Sequence, residues 1–183
     1  MSSVLNKISN FYTKVLLESE SAKPALDYIY SRGFSKSSIV NFGIGYSPPQ
    51  KINYIKNEYL TYTDVETLVS LQHLFKNGST LTDKFSGRLM FPVKKPNGAV
   101  TGFAARSITG DLPKYLNSAE SHMYKKAHVL FGLDIAKDHI YKTNKAIICE
   151  GYTDAMAFHQ AGLKMAVACG GTYATSTQIL QIA

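Results

Sequence analysis

Two carboxylates four residues apart are the side chains of this sequence that are best placed for chemistry. Glu150 and Asp154 follow the short apolar run Ala146-Ile147-Ile148-Cys149, with Gly151 directly after the first of them. Hard divalent cations such as Mg²⁺ bind oxygen ligands, and a carboxylate can also act as a general base. A carboxylate at this place can equally stabilise the start of a helix through the helix dipole. Taken alone, the pair favours the second interpretation, because short motifs match often by accident.

The residues around the pair predict a strand, a tight turn, a helix and a second strand. Residues 155–161 are good helix formers that end at Gly162, and residues 164–169 read as the second strand. Such a βαβ unit places Glu150 at the carboxyl end of its first strand, the edge where open α/β sheets bind ligands. Residues 175–183 predict a further helix.

The basic charge of the chain is concentrated in its middle. The net charge is +7, and residues 84–126 hold eight Lys and Arg against two acidic residues, a local charge of +6. This distribution favours a polyanionic partner, although a solvated basic face would have the same composition. The two cysteines, Cys149 and Cys169, form no Cys-x-x-Cys pair, so we expect buried thiols and no zinc site.

The first 80 residues predict a helical region without chemistry of its own. Apolar spacing predicts an amphipathic helix over residues 3–19, with its aromatic side chains in the core. A second helix is expected over residues 22–32, and a third from the Ser35 cap to Val40. The glycines and prolines of residues 41–49 predict a connector.

A capping box is read at Thr63-Asp64-Val65-Glu66, starting a helix that includes Leu74 and ends at Asn77-Gly78.

The middle segment predicts a basic β-hairpin followed by a loop. Residues 88–93 and 99–105 read as its strands, with a turn at residues 94–98, and Pro92 implies a sheet edge or a bulge. Residues 113–118, Pro-Lys-Tyr-Leu-Asn-Ser, read as a surface loop, and a helix is expected over residues 128–142.

Several of these motifs together resemble one family. Glu-Gly-Tyr-Thr-Asp after an apolar strand resembles the first motif of the TOPRIM domain shared by bacterial primases and topoisomerases, and residues 166–172 resemble its next strand and glycine turn. Residues 43–48, 87–92, 102–106 and 113–118 are similar, in order and spacing, to segments of the DnaG-type DNA primase core. The chain is therefore identified as a member of that family over nearly its whole length.

The resemblance implies a fold, a reaction and a set of site residues. The fold is α+β: a helical region (1–80), a basic antiparallel β region (81–127) and a helix (128–142), then the start of an α/β TOPRIM domain (143–183). The reaction is synthesis of RNA primers on single-stranded DNA from ribonucleoside triphosphates with Mg²⁺ or Mn²⁺. Glu150 is implied as the catalytic carboxylate and possible metal ligand, and Asp154 as a weaker one. The nucleotide or template residues implied by the motifs are Arg88, Arg106, Lys114, Asn117 and Lys126.

Departures from the family pattern leave alternatives open. The family usually has a basic residue where this chain has Asn41. No Asp or Glu follows Asp154, so the 33 residues after Glu150 do not contain the second acidic TOPRIM motif, Asp-x-Asp. At the other end of the chain, the zinc-binding module that normally precedes the primase core is also missing from this sequence. We therefore expect a primase fragment that binds nucleic acid weakly and does not polymerise alone. A non-catalytic nucleic-acid-binding or regulatory fragment is the main alternative, and another TOPRIM enzyme ranks below it.

The setting of the chain is also an expectation. No apolar run approaches the roughly 20 residues that span a bilayer, so we expect no membrane contact and a cytoplasmic location in a bacterial or phage-infected cell. The replicative helicase is the partner that the resemblance implies for the parent protein.

Overall fold

The computed structural model describes residues 4–49, 60–78 and 80–183. Its helices and strands mix as an α+β fold, which confirms the expected class. The helices are α1 (Val4–Glu18), α2 (Lys23–Ser31), α3 (Lys36–Phe42), α4 (Tyr62–Ser70), α5 (Leu133–Thr143), α6 (Tyr152–Gln160) and α7 (Ser176–Ile179). No helix in these ranges is both long and apolar enough to cross a bilayer.

The strands form three small sheets. They are β1 (Gly45–Ser47), β2 (Leu74–Asn77), β3 (Thr80–Asp83), β4 (Arg88–Lys94), β5 (Val100–Ser107), β6 (Tyr115–Asn117), β7 (Ile147–Cys149) and β8 (Ala166–Ala168). The main sheet is antiparallel in the order β1-β4-β5-β6. Strands β2 and β3 form an antiparallel pair, and β7 and β8 form a parallel pair.

The first three helices confirm the sequence prediction. Helix α1 buries its apolar stripe, including the fully buried Tyr12, and Ser3, the first residue of the predicted helix, lies outside the described residues. The Ser35 hydroxyl caps α3 by accepting a hydrogen bond from the Ser38 N–H at 3.2 Å. Helix α3 extends two residues beyond the predicted end, to a left-handed C-cap at Gly43 with a φ of 70°.

The prediction for the remainder of the helical region was partly wrong. The capping box lies two residues earlier, where the Thr61 hydroxyl and the Asp64 carboxylate cap α4 reciprocally. The helix ends at Ser70, and Leu74 begins strand β2, because residues 74–77 pair with β3 rather than continue a helix. Residues 1–3 and 50–59 of the predicted helical region lie outside the described residues.

The hairpin of β4 and β5 confirms the prediction for the middle segment. The register shifts between Val93 and Lys94, so the bulge implied by Pro92 lies one residue after it. The predicted edge position holds only locally: β4 is an internal strand, but its pairing with β1 ends at Met90. Pro92 therefore has no ladder hydrogen bond to donate towards β1.

Two further boundaries differ from the prediction. Residues 115–117, read as loop, form the strand β6 that pairs with β5. The helix expected from residue 128 begins at Leu133, because residues 126–128 form a separate 3-10 turn and Gly132 adopts a φ of 81° before the helix.

The main sheet has a different hydrophobic core on each face. Met90, Phe103 and Ala105 pack with α1 and α4, whereas Leu89, Phe91 and Ala104 pack with α2, α3, α6 and the β7–β8 pair. The second face therefore joins the basic sheet to the element that carries Glu150.

Burial of His73 predicts a loss of stability in mild acid. Its ring is fully buried, and its Nε2 lies 2.8 Å from the Tyr12 hydroxyl, which also bonds the Asp83 carboxylate. Burial lowers the pKa of His73, partly opposed by the charge of Asp83 and aided by that of Lys84. Because the unfolded chain protonates His73 at a higher pH than the folded chain does, the neutral His73 ring stabilises the fold fully above about pH 6.5. This stabilisation is lost below that pH, at up to about 1.4 kcal/mol per pH unit.

Urea unfolding between pH 7 and pH 5 measures this slope. We expect the variant H73Q to be less stable at pH 7 and to have a shallower pH dependence than the parent. The exposed His122 supplies the matched control, H122Q, which should retain the parent slope. An unchanged slope in H73Q would show that His73 does not carry the pH dependence.

Candidate active site

The parallel pair β7–β8 places Glu150 at the carboxyl edge of the sheet, as predicted. Ile147, Ile148 and Cys149 pair with Ala166, Val167 and Ala168 in order. Beyond the strands, the Gly170 N–H donates to the Glu150 carbonyl oxygen at 3.0 Å, so the backbone of the two loops stays paired. The Glu150 side chain is exposed to solvent and thus open to a ligand.

Asp154 lies in the first turn of α6, where its carboxylate is placed both to stabilise the helix start and to bind a cation. It is the third helical residue after the N-cap Gly151, and its carboxylate lies against that glycine: a Cβ on Gly151 would be 2.8 Å from Oδ2. A carboxylate here stabilises the helix start through the dipole. Burial, then the charge of Asp154, raises the pKa of the Cys149 thiol, so Cys149 is a buried neutral group and no nucleophile.

Tyr152 connects the Glu150 turn to the main sheet. Its ring centroid lies 5.7 Å from that of Phe91, 5.1 Å from Phe131 and 6.0 Å from Tyr115. Its hydroxyl lies against Gly170, where a Cβ would be only 2.5 Å away. Burial raises the pKa of Tyr152 to about 12, so the hydroxyl stays protonated at neutral pH. The residue acts as a rigid joint between β6 and the carboxylate-bearing turn.

Arg106 presents a partly buried guanidinium on the same face of the sheet. Its Nη1 donates to the Tyr115 hydroxyl at 3.1 Å, and its Cζ lies 5.5 Å from the ring centroids of both Tyr28 and Tyr115. Stacking between two aromatic rings fixes the plane of the fork. Its Nε is buried and has no hydrogen-bond partner within the described part of the chain.

Two more buried polar atoms on this face have no partner in the described residues. They are Oδ1 of Asn117, a residue whose strand position pairs with Ala104, and the hydroxyl oxygen of Tyr124. Tyr124 packs directly on Gly102, where a Cβ would come within 2.6 Å of its ring, and burial raises its pKa. Buried polar groups nearly always have hydrogen-bond partners. These three atoms, all on one face of the main sheet, are candidates for contacts with polar ligand groups.

Lys126 lines a cleft of about 300 Å³ beside the carboxyl edge of β8. The same cleft is lined by Cys169, Gly171 and Thr172, which follow that strand, and by Glu120, whose carboxylate accepts a hydrogen bond from the Lys126 N–H at 3.0 Å. Gly171 has its nearest other atom 4.0 Å from a notional Cβ, so the glycine turn leaves open space. A cation facing a backbone turn at a sheet edge suits a phosphate group.

Gln178 holds the Lys126 segment in place. It is 1% exposed, and its Nε2 lies 2.7 Å from the Val129 carbonyl oxygen, 3.2 Å from that of Cys169 and 3.3 Å from that of Lys126. Its Oε1 accepts from the Thr175 N–H, completing a capping box on α7. The Gln178 side chain therefore joins α7 to the Lys126 segment and to the turn that begins at Cys169.

Replacing Gln178 with leucine is expected to destabilise the chain by about 1–3 kcal/mol, because buried carbonyl oxygens lose their donor. Chemical unfolding measures this loss. The matched control is S176A on the exposed side of the same helix, which should stay within about 0.5 kcal/mol. Equal losses of stability in Q178L and S176A would contradict this role of Gln178.

Arg88 and Lys114 are placed differently from Arg106 and Lys126. Arg88 is 9% exposed and, by register, shares the face of Met90 opposite to Arg106; its Nη1 donates to the Pro113 carbonyl oxygen at 2.8 Å. Lys114 follows that carbonyl, is exposed, and accepts at its backbone oxygen from the Ser107 N–H. Arg88 thus anchors the loop that presents Lys114, and a direct ligand contact by either residue stays a prediction.

The structure places Arg106 and Asn117 on the sheet face that Tyr152 joins to the Glu150 turn, and it places Lys126 in the cleft beside the end of β8. The sequence analysis assigned no role to Tyr124, Tyr152 or Gln178. The position of Tyr124 directly before Lys125 and Lys126 is the sequence signal that could have identified it. The Thr-x-x-Gln spacing of Thr175 and Gln178 is the local signal of a capping box, but the hydrogen bonds of Gln178 to Cys169 and Lys126 join residues 9 and 52 positions away, which no local pattern marks.

The carboxylates fit a hard divalent cation as a partial donor set. Among the described residues no three His, Cys, Asp or Glu side chains gather as a metal site. Glu150 and Asp154 are exposed carboxylates four residues apart in the chain, one before α6 and the other in its first turn. Mg²⁺ commonly keeps several waters and binds one or two carboxylates plus substrate phosphates. The donor chemistry therefore suits Mg²⁺ or Mn²⁺.

The class of protein that shares this fold is the primase catalytic core. The RNA polymerase domain of Mycobacterium tuberculosis primase DnaG, in complex with a double-stranded DNA oligomer with a 6-nucleotide overhang, superposes with a TM-score of 0.89 at 33% identity. That alignment covers 100% of this chain and 58% of the other. A DnaG primase catalytic domain bound to ssDNA matches with a TM-score of 0.84 at 33% identity, over 98% of this chain and 58% of the other.

Sequence comparison gives the family. The DNA primase of Mycolicibacterium smegmatis is 38% identical over 170 residues, which are 90% of this chain and 26% of the relative. The chain belongs to the family of the DNA primase catalytic core, N-terminal domain, which matches residues 11–137, and residues 147–183 match the Toprim-like family. These matches confirm the resemblance. The chain spans about a quarter of the length of the curated relatives it matches, and the domain boundary at residues 142/143 stays a prediction.

Proposed function

We propose that this chain supplies the template- and nucleotide-binding part of a DNA primase, with Glu150 as its first catalytic carboxylate. The proposed reaction joins ribonucleotides on single-stranded DNA. The replicative helicase is the proposed partner of the whole protein, and its proposed location is the cytoplasm, where that template is replicated.

The observation that carries the proposal is the pair of unpartnered buried atoms on Arg106 and Asn117. Both residues were implied as ligand contacts by the primase resemblance, and each has a polar atom without a partner in the described part of the chain. Both lie on the sheet face that Tyr152 joins to the Glu150 turn. Buried polar atoms with a purely structural role usually have hydrogen-bond partners.

Each side chain has a role that its chemistry allows. In primer synthesis a 3′ hydroxyl attacks the α-phosphorus of the incoming nucleotide, and pyrophosphate leaves. Glu150 accepts the proton of the attacking hydroxyl. Arg106 and Lys126 hold phosphate oxygens and offset the charge that develops on them. Asn117 Oδ1 accepts a hydrogen bond from a ribose hydroxyl or a base amino group.

Glu150, with Asp154 as the second ligand, would hold the divalent cation. When bound, Mg²⁺ or Mn²⁺ stabilises charge on the attacking and leaving oxygens. The protein's own contribution is to place the carboxylates at the sheet edge beside the Lys126 cleft.

Incorporation of labelled ribonucleotides on single-stranded DNA tests the proposal. Because the chain spans a quarter of its relatives, the assay uses the longest protein that the coding frame encodes, with this chain in parallel. Template-dependent RNA products from the longer protein are expected. DNA binding without any product from the longer protein would overturn the primase proposal.

The second candidate function is a non-catalytic binding module that competes for template or primase partners. The observation that favours it is the donor set: no three His, Cys, Asp or Glu side chains of the described residues gather as a metal site. Phosphate contacts make log affinity fall linearly with log salt. Salt-independent binding to a protein partner, with no product from the longer protein, would favour this function over primer synthesis.

A further inference from the structure

We propose a second phosphate-binding cleft, outside the Glu150 site, that holds the backbone of single-stranded nucleic acid. The cleft lies between the β4–β5 turn and the segment before α5, and its volume is about 310 Å³. This inference rests on the proposed function. The side chains that define it are Lys94, Lys95, His122, Lys125, His128 and Gln181.

The charge of the middle segment singles out this cleft. Of the eight Lys and Arg in residues 84–126, four are accounted for by the primase resemblance. Three of the other four, Lys94, Lys95 and Lys125, line this one cleft, and no acidic residue lines it. Three of the four remaining cations therefore line one concavity, a concentration that a solvated basic face does not require.

The heads of Lys95 and Lys125 are the cations available to a ligand. Lys94 lies 3.4 Å from the Asp134 carboxylate, which offsets its charge. Lys95 and Lys125 are exposed, and in the described residues neither has an ion-pair partner. Two exposed cations on separate segments suit a polyanion that touches both.

The walls of the cleft are held in place by hydrogen bonds. The Lys95 N–H donates to the Ala99 carbonyl oxygen at 2.9 Å, which closes the turn. Lys137 Nζ donates to the Pro96 carbonyl oxygen at 2.6 Å, joining the turn to α5. Gln181 Nε2 donates to the His128 carbonyl oxygen at 2.8 Å. The lysine side chains of this cleft therefore extend from backbone segments that hydrogen bonds hold in place.

The cleft adjoins the proposed nucleotide cleft through one short segment. Lys126 and Ala127 line the cleft beside β8, whereas Lys125 and His128 line the second one. Adjacent residues of the 3-10 turn therefore point to two sides. A strand that crosses this turn contacts both clefts, so we assign the second one to the strand backbone rather than to a mononucleotide.

The test compares charge-removing pairs in the whole chain. Fluorescence anisotropy measures affinity for a labelled oligothymidylate between about 50 and 200 mM salt. We expect K95Q/K125Q to weaken binding by about 5- to 20-fold. The slope of log affinity against log salt should become shallower by about 1.4, because each single-strand phosphate contact contributes about 0.7. The matched control K23Q/K142Q removes two exposed lysines elsewhere and should stay within about twofold of the parent.

A third pair separates this inference from the proposed function. If K114Q/K126Q weakens binding while K95Q/K125Q matches the control, the second cleft is wrong and the proposed function stands. If neither pair differs from the control, both are wrong. Circular dichroism of each variant verifies folding.

Lysine acetylation footprinting distinguishes the source of phosphate. The oligothymidylate is expected to protect Lys95 and Lys125 but not Lys23 and Lys142. Protection by inorganic tripolyphosphate alone, with none by the oligonucleotide, would overturn the assignment to a strand backbone.

Discussion

The variant E150Q of the longest encoded protein is expected to lose primer synthesis by about 10²- to 10⁴-fold, the contribution of a positioned general base. The amide keeps the shape of the side chain but can neither accept the proton nor hold a cation with a full negative charge. Because Glu150 is exposed at the end of β7, its replacement leaves the core intact. Labelled primer yield on single-stranded DNA measures the effect.

Two controls make this result specific to the site. Thermal unfolding and oligothymidylate binding of E150Q should match the parent, and E20Q, which removes another exposed glutamate, should retain full activity. Equal activity of E150Q and the parent would remove Glu150 from the mechanism.

The variant D154N separates the two roles that remain open for Asp154. A ligand role predicts that more Mg²⁺ is needed for half-maximal activity. A helix-start role predicts only a stability loss of about 0.3–1 kcal/mol.

The variant G45A is expected to destabilise the chain by about 2–3 kcal/mol, the upper part of the range for overpacking. A Cβ at Gly45 would lie 2.5 Å from Tyr12 Cβ, 2.6 Å from the Tyr12 carbonyl carbon and 2.8 Å from the Thr13 backbone nitrogen. Two of these atoms belong to the backbone of α1, which cannot rotate away as a side chain can. Strand β1 lies directly on the helix at this point, so the helix or the strand must shift.

Thermal unfolding followed by circular dichroism measures this effect as a fall in Tm of about 4–12 °C. The matched control is G171A, where the nearest other atom lies 4.0 Å from the new methyl group, and its Tm should stay within about 2 °C of the parent. A G45A variant as stable as G171A would show that β1 and α1 are not packed this closely in solution.

Local signals predicted the elements that carry the site. The apolar run before Glu150, the helix formers after it and Gly162 predicted β7, α6 and their order, because these patterns depend on neighbouring residues alone. Ser35 predicted the start of α3 for the same reason. The shift of the capping box from Thr63 to Thr61 shows the limit of such signals: both threonines precede a carboxylate three residues later, and the box forms at Thr61.

The sequence prediction missed the strands that form because of their pairing partners. Residues 115–117 are too few to show a period of their own, and they are a strand because β5 offers them an unpaired edge. Leu74 continues an apolar helical pattern in the sequence, but its backbone pairs with Asp83. Such hydrogen bonds join residues that are distant in sequence, so no local window contains them.

The family, the α+β class, the βαβ unit with Glu150 at its edge and the candidate ligand residues all follow from the sequence. Which of these candidates share a face of the sheet depends on the tertiary fold. Register placed Arg106 and Asn117 on the face that Tyr152 joins to the Glu150 turn, and it placed Arg88 on the opposite face as the anchor of the Pro113 carbonyl. The physical reason is the two-residue period of a strand: a shift of one residue in pairing exchanges its faces, and pairing is set by partners far along the chain.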